Sequence, residues 1–237
     1  MISSEQKLQI EQYLISKNLS LDILLEIKDH IILQVEDCMC SNTVNFDEAF
    51  SKVKEIWENN LTPTTYWFFY GRQKMPKIAK TIIKNKFQPI IIQSLLIGSL
   101  FFVLSLVMVF FADSLETYRI YYIVSNSLLL SIPIILFCLN FKYINYFKKS
   151  FVYKGRINYS FYQQNLILMV VCSMGQIQSL IKGGDLLYHF FISGKDVSVF
   201  VLIAISLYRF SLIVLFVFGI INFLEHKRTL KQLQILN

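Results

Sequence analysis

Apolar residues recur every three or four positions through residues 1–61, then close up into four nearly unbroken runs. The early spacing is that of amphipathic helices with one buried stripe. It predicts a first helix over SEQKLQIEQYLISKN, residues 4–18, with Leu8, Ile10, Tyr13, Leu14 and Ile15 inward. A second helix covers LDILLEIKDHIILQVEDCM, residues 21–39, where Leu24, Ile27, Ile31, Val35 and Cys38 form the stripe. Ser20 stands at its N-cap position and Asp22 in its first turn, where a negative charge suits the helix dipole. A third helix follows in NFDEAFSKVKEIWENN, capped by Asn45 with Glu48 closing a capping box. Phe46, Ala49, Phe50, Val53, Ile56 and Trp57 make its apolar side.

The later runs are long enough to cross hydrocarbon, which takes roughly 17–25 residues of helix. They are residues 90–112, 118–140, 161–181 and 198–224, the third being the weakest. In lipid only a helix satisfies its own backbone, so each is read as a helix. The expected fold is all-α. A three-helix domain fills residues 1–61, an aromatic and basic connector fills 62–88, and a four-span transmembrane domain fills 90–237.

Composition agrees. The chain is 54% hydrophobic and 16% charged, against about a quarter charged in soluble domains. No apolar signal core is visible at the start, MISSEQKLQIEQYL.

Charge placement sets the topology. Residues 1–61 carry five lysines and eleven carboxylates, a net of −6. Residues 72–86 carry six basic groups and no acid. Lys142, Lys148, Lys149, Lys154 and Arg156 follow the second span, and Lys227, Arg228 and Lys231 follow the fourth. The connections 113–117 and 182–197 are poor in positive charge. The positive-inside rule then puts both termini of a multi-pass membrane protein in the cytoplasm, which in a bacterium makes the membrane the inner (plasma) one.

The connector pairs an aromatic run, Tyr66 to Tyr70, with an amphipathic stretch. Trp67, Lys77, Lys80 and Lys84 are its candidate lipid-facing collar, partnered by anionic headgroups. A docking surface for the acidic domain is the competing reading. The basic, aromatic link 141–160 also reads as lipid-facing, with no nucleic-acid partner.

Candidate chemistry is sparse. Arg209 is an ionisable residue deep in a span, where an unpaired charge costs at least a few kcal/mol. Asn126, Gln176 and Ser105 fall in the same outer half and are the candidates to join it in an intramembrane polar cluster. That cluster is either an anion or headgroup site or a structural hydrogen-bond network. Glu26, Asp29, His30 and Glu36 form a candidate partner-binding face on the second helix. Glu26 and His30, four apart, read first as an intrahelical pair and second as half a metal site. No metal site, cofactor motif or disulfide framework is expected, and nothing brings an acid, a base and a nucleophile together. Three readings of function follow: a regulatory, partner-binding membrane protein; a small permease or permease subunit for an anionic or lipid-like solute; and a lipid-modifying enzyme. A homodimer would help bury both Arg209 and the small N-terminal core.

Tyr13-Leu14, the segment LLEIKDHI (24–31) and NFDEAFSKVKEIW (45–57) together resemble the helical prefix domain that precedes transmembrane segments in bacterial permease-like and signalling-associated proteins. Glu26, His30, Glu48 and Ala49 occupy that pattern's Glu…His and Glu-Ala places, whereas ENNLTPTT departs from its usual Gly-Asp/Asn-Pro ending. Low Gly with high Lys, Ile, Asn and Phe is similar to four-span membrane proteins of Bacteroidetes-type bacteria. The resemblance implies a role in regulation or envelope stress.

Overall fold

The computed structural model describes residues 2–66, 74–141, 151–153, 155–182, 184–194 and 198–233, with side chains omitted at 42, 151–157 and 179–182. The chain divides into two compact units. The first gathers Met1–Phe87, Tyr146–Gln163 and His226–Asn237; the second gathers Gln88–Asn145 and Gln164–Glu225.

The first unit begins with α1 (Ser4–Ile15), α2 (Leu21–Asn42) and α3 (Phe46–Leu61). Ser3 and Gln6 close a capping box on α1, and Asn45 caps α3 by accepting from the Glu48 N–H at 2.9 Å. The α2 stripe is buried as its spacing requires: Leu24, Ile27, Ile31 and Val35 face Ile10 and Leu14 of the core and Phe46, Phe50, Val53 and Trp57 from α3. Trp57 donates its indole N–H to Gln34 Oε1 at 2.6 Å, which lets a large polar-edged ring be buried without an orphan donor. Leu8 and Ile56 lie outside, so the buried stripes of α1 and α3 are narrower than the sequence suggests.

The start of α2 is capped in an unforeseen way. Ser20 stands at the N-cap position without a capping hydrogen bond. The first-turn N–H groups of Leu21 and Asp22 instead donate to the carbonyls of Asn158 (2.9 Å) and Tyr159 (3.3 Å). These carbonyls take up orphan donors that a side chain would otherwise have to satisfy. The Asp22 carboxylate lies half-buried in the same place, accepting from the backbone N–H groups of Ile23 and Phe161 near Lys86. Burial dominates and pushes its pKa up to about 6.

Two short antiparallel hairpins, absent from an all-α expectation, complete this unit. β1 (Pro63–Thr65) pairs with β2 (Lys74–Pro76) in the register Pro63↔Pro76 and Thr65↔Lys74. β3 (Phe151–Tyr153) pairs with β4 (Gly155–Ile157). The first hairpin ties the acidic helices to the connector, where Lys77 N–H donates to Thr62 O at 3.0 Å. The connector is no separate helix. It is the first part of α4 (Lys77–Val107), which runs on through Pro89. Its apolar side, Met75, Ala79, Ile83 and Phe87, is buried within this unit, and Phe87 packs its ring on Phe161 and Tyr162. Ser160 Oγ and His226 Nδ1 meet at 2.7 Å, both fully buried.

The second unit holds the remainder of α4, then α5 (Leu115–Leu139), α6 (Leu166–Lys182), α7 (Asp185–Phe191) and α8 (Val199–Gln232). A 3-10 turn over Phe161–Asn165 leads into α6. Among the described residues three helices, α4, α5 and α8, are long and apolar enough to cross a membrane. The expected four narrow to three on this measure, because α6 has 17 residues and opens only after the 3-10 turn. Burial is inverted here. Leu96, Leu100, Phe111, Leu128, Leu139 and Phe200 are exposed, as side chains in contact with hydrocarbon are. Close packing relies on small residues. A Cβ at Gly219 of α8 would lie 2.7 Å from the backbone N of Met169 on α6, so the two backbones approach where only glycine fits.

Candidate functional site

The buried polar side chains of the second unit divide into the satisfied and the unsatisfied. Ser94, Asn126, Asn140 and Asn222 each donate to the carbonyl one turn back on their own helix, at 2.7–2.8 Å. This local bond is the usual refuge of a short polar side chain with no solvent to turn to. Asn165 donates to Asn222 Oδ1 at 3.1 Å, joining the entry of α6 to α8. Three side chains differ. Gln176, 3% exposed, has no hydrogen-bond partner on Nε2 or Oε1 among the described residues, Arg209, 7% exposed, has none on Nη1, and the buried Tyr118 has none on its hydroxyl.

Arg209 sits on α8 with its guanidinium over the Tyr122 ring of α5, 4.7 Å from the ring centre. Stacking on an aromatic face offsets part of the cost of burying the charge, by about 2 kcal/mol when desolvated, and leaves the guanidinium edge available for hydrogen bonds. The Tyr118 hydroxyl lies within electrostatic reach of the same group but without hydrogen-bond geometry. Tyr118 in turn stacks on Tyr188 of α7, with centroids 5.8 Å apart. These rings belong to a buried cluster with Val109, Ala112, Leu187 and Leu202.

A cavity of about 530 Å³ opens beside the guanidinium. Its walls combine Arg209, Tyr122, Tyr208 and Gln178 with Leu186, Leu187 and Ile205. Gly175 and Gly184 also line it. A Cβ on Gly184 would stand 2.8 Å from the Tyr118 hydroxyl and 2.9 Å from the Tyr122 ring, so the glycine keeps the aromatic floor in place. Asp185, a further lining residue, is paired with another cation. Arg119 Nε and Nη2 donate to Asp185 Oδ1 (3.0 Å) and Oδ2 (2.5 Å) in a two-pronged pair. Those bonds hold the Asp185 carboxyl below the usual carboxylate range despite partial desolvation. With Asp185 so matched, the charge left over in the cavity is that of Arg209.

The four residues read from the sequence as one polar cluster have separate placements. Arg209 lines the cavity. Asn126 is one turn along α5 from Tyr122, whose carbonyl takes its amide. Ser105 is half-buried on α4 and donates to Phe102 O at 2.7 Å. Gln176 is buried next to Gly175 in the chain. Tyr122, Tyr208, Gly184 and the Arg119–Asp185 pair complete the site. Arg119 and Asp185 sit in sequence as ordinary loop charges, 66 positions apart, so nothing in the sequence joins them.

On α2, Glu26, Asp29 and His30 are exposed, and neither Glu26 nor His30 is ion-paired among the described residues. Glu36 is half-buried and accepts from the Ile2 N–H at 3.0 Å, so it serves the N-terminus of the chain instead. Among the described residues no group of three His, Cys, Asp or Glu side chains could hold a metal ion. Of the collar, Lys77 and Lys84 are exposed, while Lys80 donates to Thr65 O at 3.0 Å and lies over Tyr66. Trp67 lies outside the described residues. The Ser160–His226 pair is a hydroxyl–imidazole contact of catalytic type, but full burial of both denies a substrate access, and it braces the first unit.

No family model, curated protein or solved structure matches the chain. The likeness of residues 13–57 to the prefix domain therefore carries no functional residue over, and the site rests on its own geometry.

Proposed function

We propose that this is a multi-pass membrane protein that binds an anionic ligand in the Arg209 cavity. The observation that carries the reading is a guanidinium 7% exposed, stacked on Tyr122, lacking an acceptor on Nη1 and bordering a cavity of about 530 Å³. Nothing else on its walls calls for an anion. A buried cation with an unused donor is costly to keep, by about 1–3 kcal/mol for the donor alone, and a bound phosphate or carboxylate removes that cost.

The reading takes the chain across the bilayer four times, with α6 as the third crossing. Chain connectivity supports this. The stretch Gln164–Glu225 leaves the first unit and returns to it, and α8 alone would strand its ends on opposite sides. The 17 residues of α6 rise about 26 Å, and Gln164 and Asn165, the part of the 3-10 turn in the second unit, add about 4 Å, against about 30 Å of hydrocarbon. The acidic helices, the basic connector, the link before α6 and the C-terminal end share one unit, in keeping with a single cytoplasmic face.

The purified chain in a neutral detergent tests the site by thermal shift with carboxylate and phosphate compounds. At least one anion raises the wild-type midpoint by several degrees, and Arg209→Leu abolishes the rise while Arg209→Lys keeps part of it. An equal rise in Arg209→Leu, or none in the wild type, overturns the reading. A small permease follows from it if the bound anion crosses.

A second reading, partner binding in the cytoplasm, is favoured by the exposure of Glu26, Asp29 and His30 on one helix. The full chain carrying Glu26→Lys and Asp29→Lys then loses a cytoplasmic partner that the wild type retains at low salt.

A further inference from the structure

The cavity walls tell more than the sign of the ligand's charge. Tyr208 and Leu186 line the cavity and are also 52% and 40% exposed. Val171, one turn before the lining residue Gly175 on α6, is a further large exposed apolar side chain. An exposed apolar stripe on a spanning helix faces lipid, so the mouth of the cavity opens sideways into the bilayer. Depth agrees. Tyr122, on whose ring Arg209 stacks, is three residues along α5 from the half-exposed Arg119, a rise of about 5 Å, so the guanidinium is within reach of a headgroup for a side chain that extends toward it. The Arg119–Asp185 pair and α7 lie on the outer side of the same cavity.

We propose that the Arg209 cavity takes the phosphate of an anionic membrane phospholipid, with the glycerol against Leu187 and Ile205 and an acyl chain leaving past Tyr208 and Leu186. This rests on the anion-binding reading above and names its ligand class. The charge count sets the selectivity. Asp185 is already matched by Arg119, so among the described residues the site offers one positive charge and no free carboxylate. A phosphodiester with an uncharged headgroup satisfies it. A zwitterionic headgroup brings an ammonium for which the cavity has no acceptor to spare. Free inorganic phosphate forgoes the apolar walls, which at about 25 cal/mol per Å² supply much of the affinity.

Native mass spectrometry of the full chain in a neutral detergent, titrated with phosphatidylglycerol, phosphatidylcholine or inorganic phosphate, decides the matter. One phosphatidylglycerol binds at least about tenfold more tightly than phosphatidylcholine, a gap of roughly 1.4 kcal/mol. Inorganic phosphate does not displace it. Arg209→Leu removes the preference, Arg209→Lys retains part of it, and Ile205→Trp, which fills the cavity and leaves the guanidinium in place, weakens lipid binding by a similar factor. The thermal transition of each variant in phosphatidylcholine alone shows whether it folds, and Ile205→Trp carries the test if Arg209→Leu does not. Equal binding of the two lipids overturns the proposal. If inorganic phosphate binds through Arg209 and displaces the lipid, an anion site survives and the lipid assignment falls. If no probe responds to any of the three substitutions, both fall.

Discussion

The two units of this chain obey opposite burial rules. In the first, Ile10, Leu14, Ile27, Ile31 and Val35 are inside and charges such as Glu26 and Asp29 are outside. In the second, Leu96, Phe111, Leu139 and Phe200 are outside, and the inside holds amides, a glutamine and an arginine. On the proposed membrane reading, the difference is that of two solvents. Water drives apolar groups together and rewards exposed charge. Hydrocarbon gives apolar groups no reason to hide, so its helices are held by close backbone approach and by polar contacts. A buried polar group therefore means something different in each place. In the first unit Ser160 hydrogen-bonds His226, and in the second most amides turn back on their own helix. Gln176 and Arg209 do neither, and Arg209, the charged one, lines the cavity and marks a site.

The comparison breaks most readily at the core of the first unit. Ile27 is 1% exposed between α1 and α3, and Ile27→Ala should cost about 2–5 kcal/mol. Hydrogen exchange on the full chain in detergent should show lost protection in α1–α3 with α5 and α8 unchanged. Equal loss in both units would deny their independence. In the second unit the same shortening matters little at lipid-facing positions, and enlargement matters at contacts. Gly219→Ala should cost about 1–3 kcal/mol by pressing on the Met169 backbone, read as a lower thermal midpoint. No change there would show that α6 and α8 have room to spare.

A smaller effect distinguishes how each unit handles a carboxylate. Burial raises Asp22 to about 6, so its neutral form is favoured in the folded chain. The stabilisation is full below the unfolded value near 4 and is lost as pH rises through about 6. The first unit should be more stable at pH 5 than at pH 7.5 by about 1 kcal/mol. Asp22→Asn should flatten that dependence, as measured by exchange at the start of α2. Asp185 behaves oppositely. Its hydrogen bonds to Arg119 lower its pKa, so what the pair contributes persists above the usual value near 4 and disappears on acidification. For an ion pair with Arg119 half exposed, that contribution is screened by solvent and smaller than the one at Asp22.

Periodicity made the helices of residues 1–61 and three of the apolar spans legible, because a stripe or a saturated run is a local property of the sequence. Arg209 was legible for the same reason, as a charge in a greasy run. Its surroundings were not. Tyr122 is one aromatic among thirteen tyrosines, and Gly184 is informative only once the Tyr118 and Tyr122 rings are known to press on it. The capping of α2 by carbonyls more than 130 positions away, at Asn158 and Tyr159, likewise has no local signature. Ser20 looked sufficient for that task. The hairpins escaped notice because three-residue strands carry too little alternation to be read.

The account depends on α6 crossing the bilayer, since that crossing gives both units a single solvent each. Single-cysteine labelling with a membrane-impermeant maleimide on intact cells tests it, using Cys40, Asp113→Cys and Ser193→Cys on a background without the other thiols. The account predicts that Asp113→Cys and Ser193→Cys are labelled from outside and that Cys40 reacts only after the cells are opened. Labelling of Ser193→Cys only together with Cys40 would contradict it.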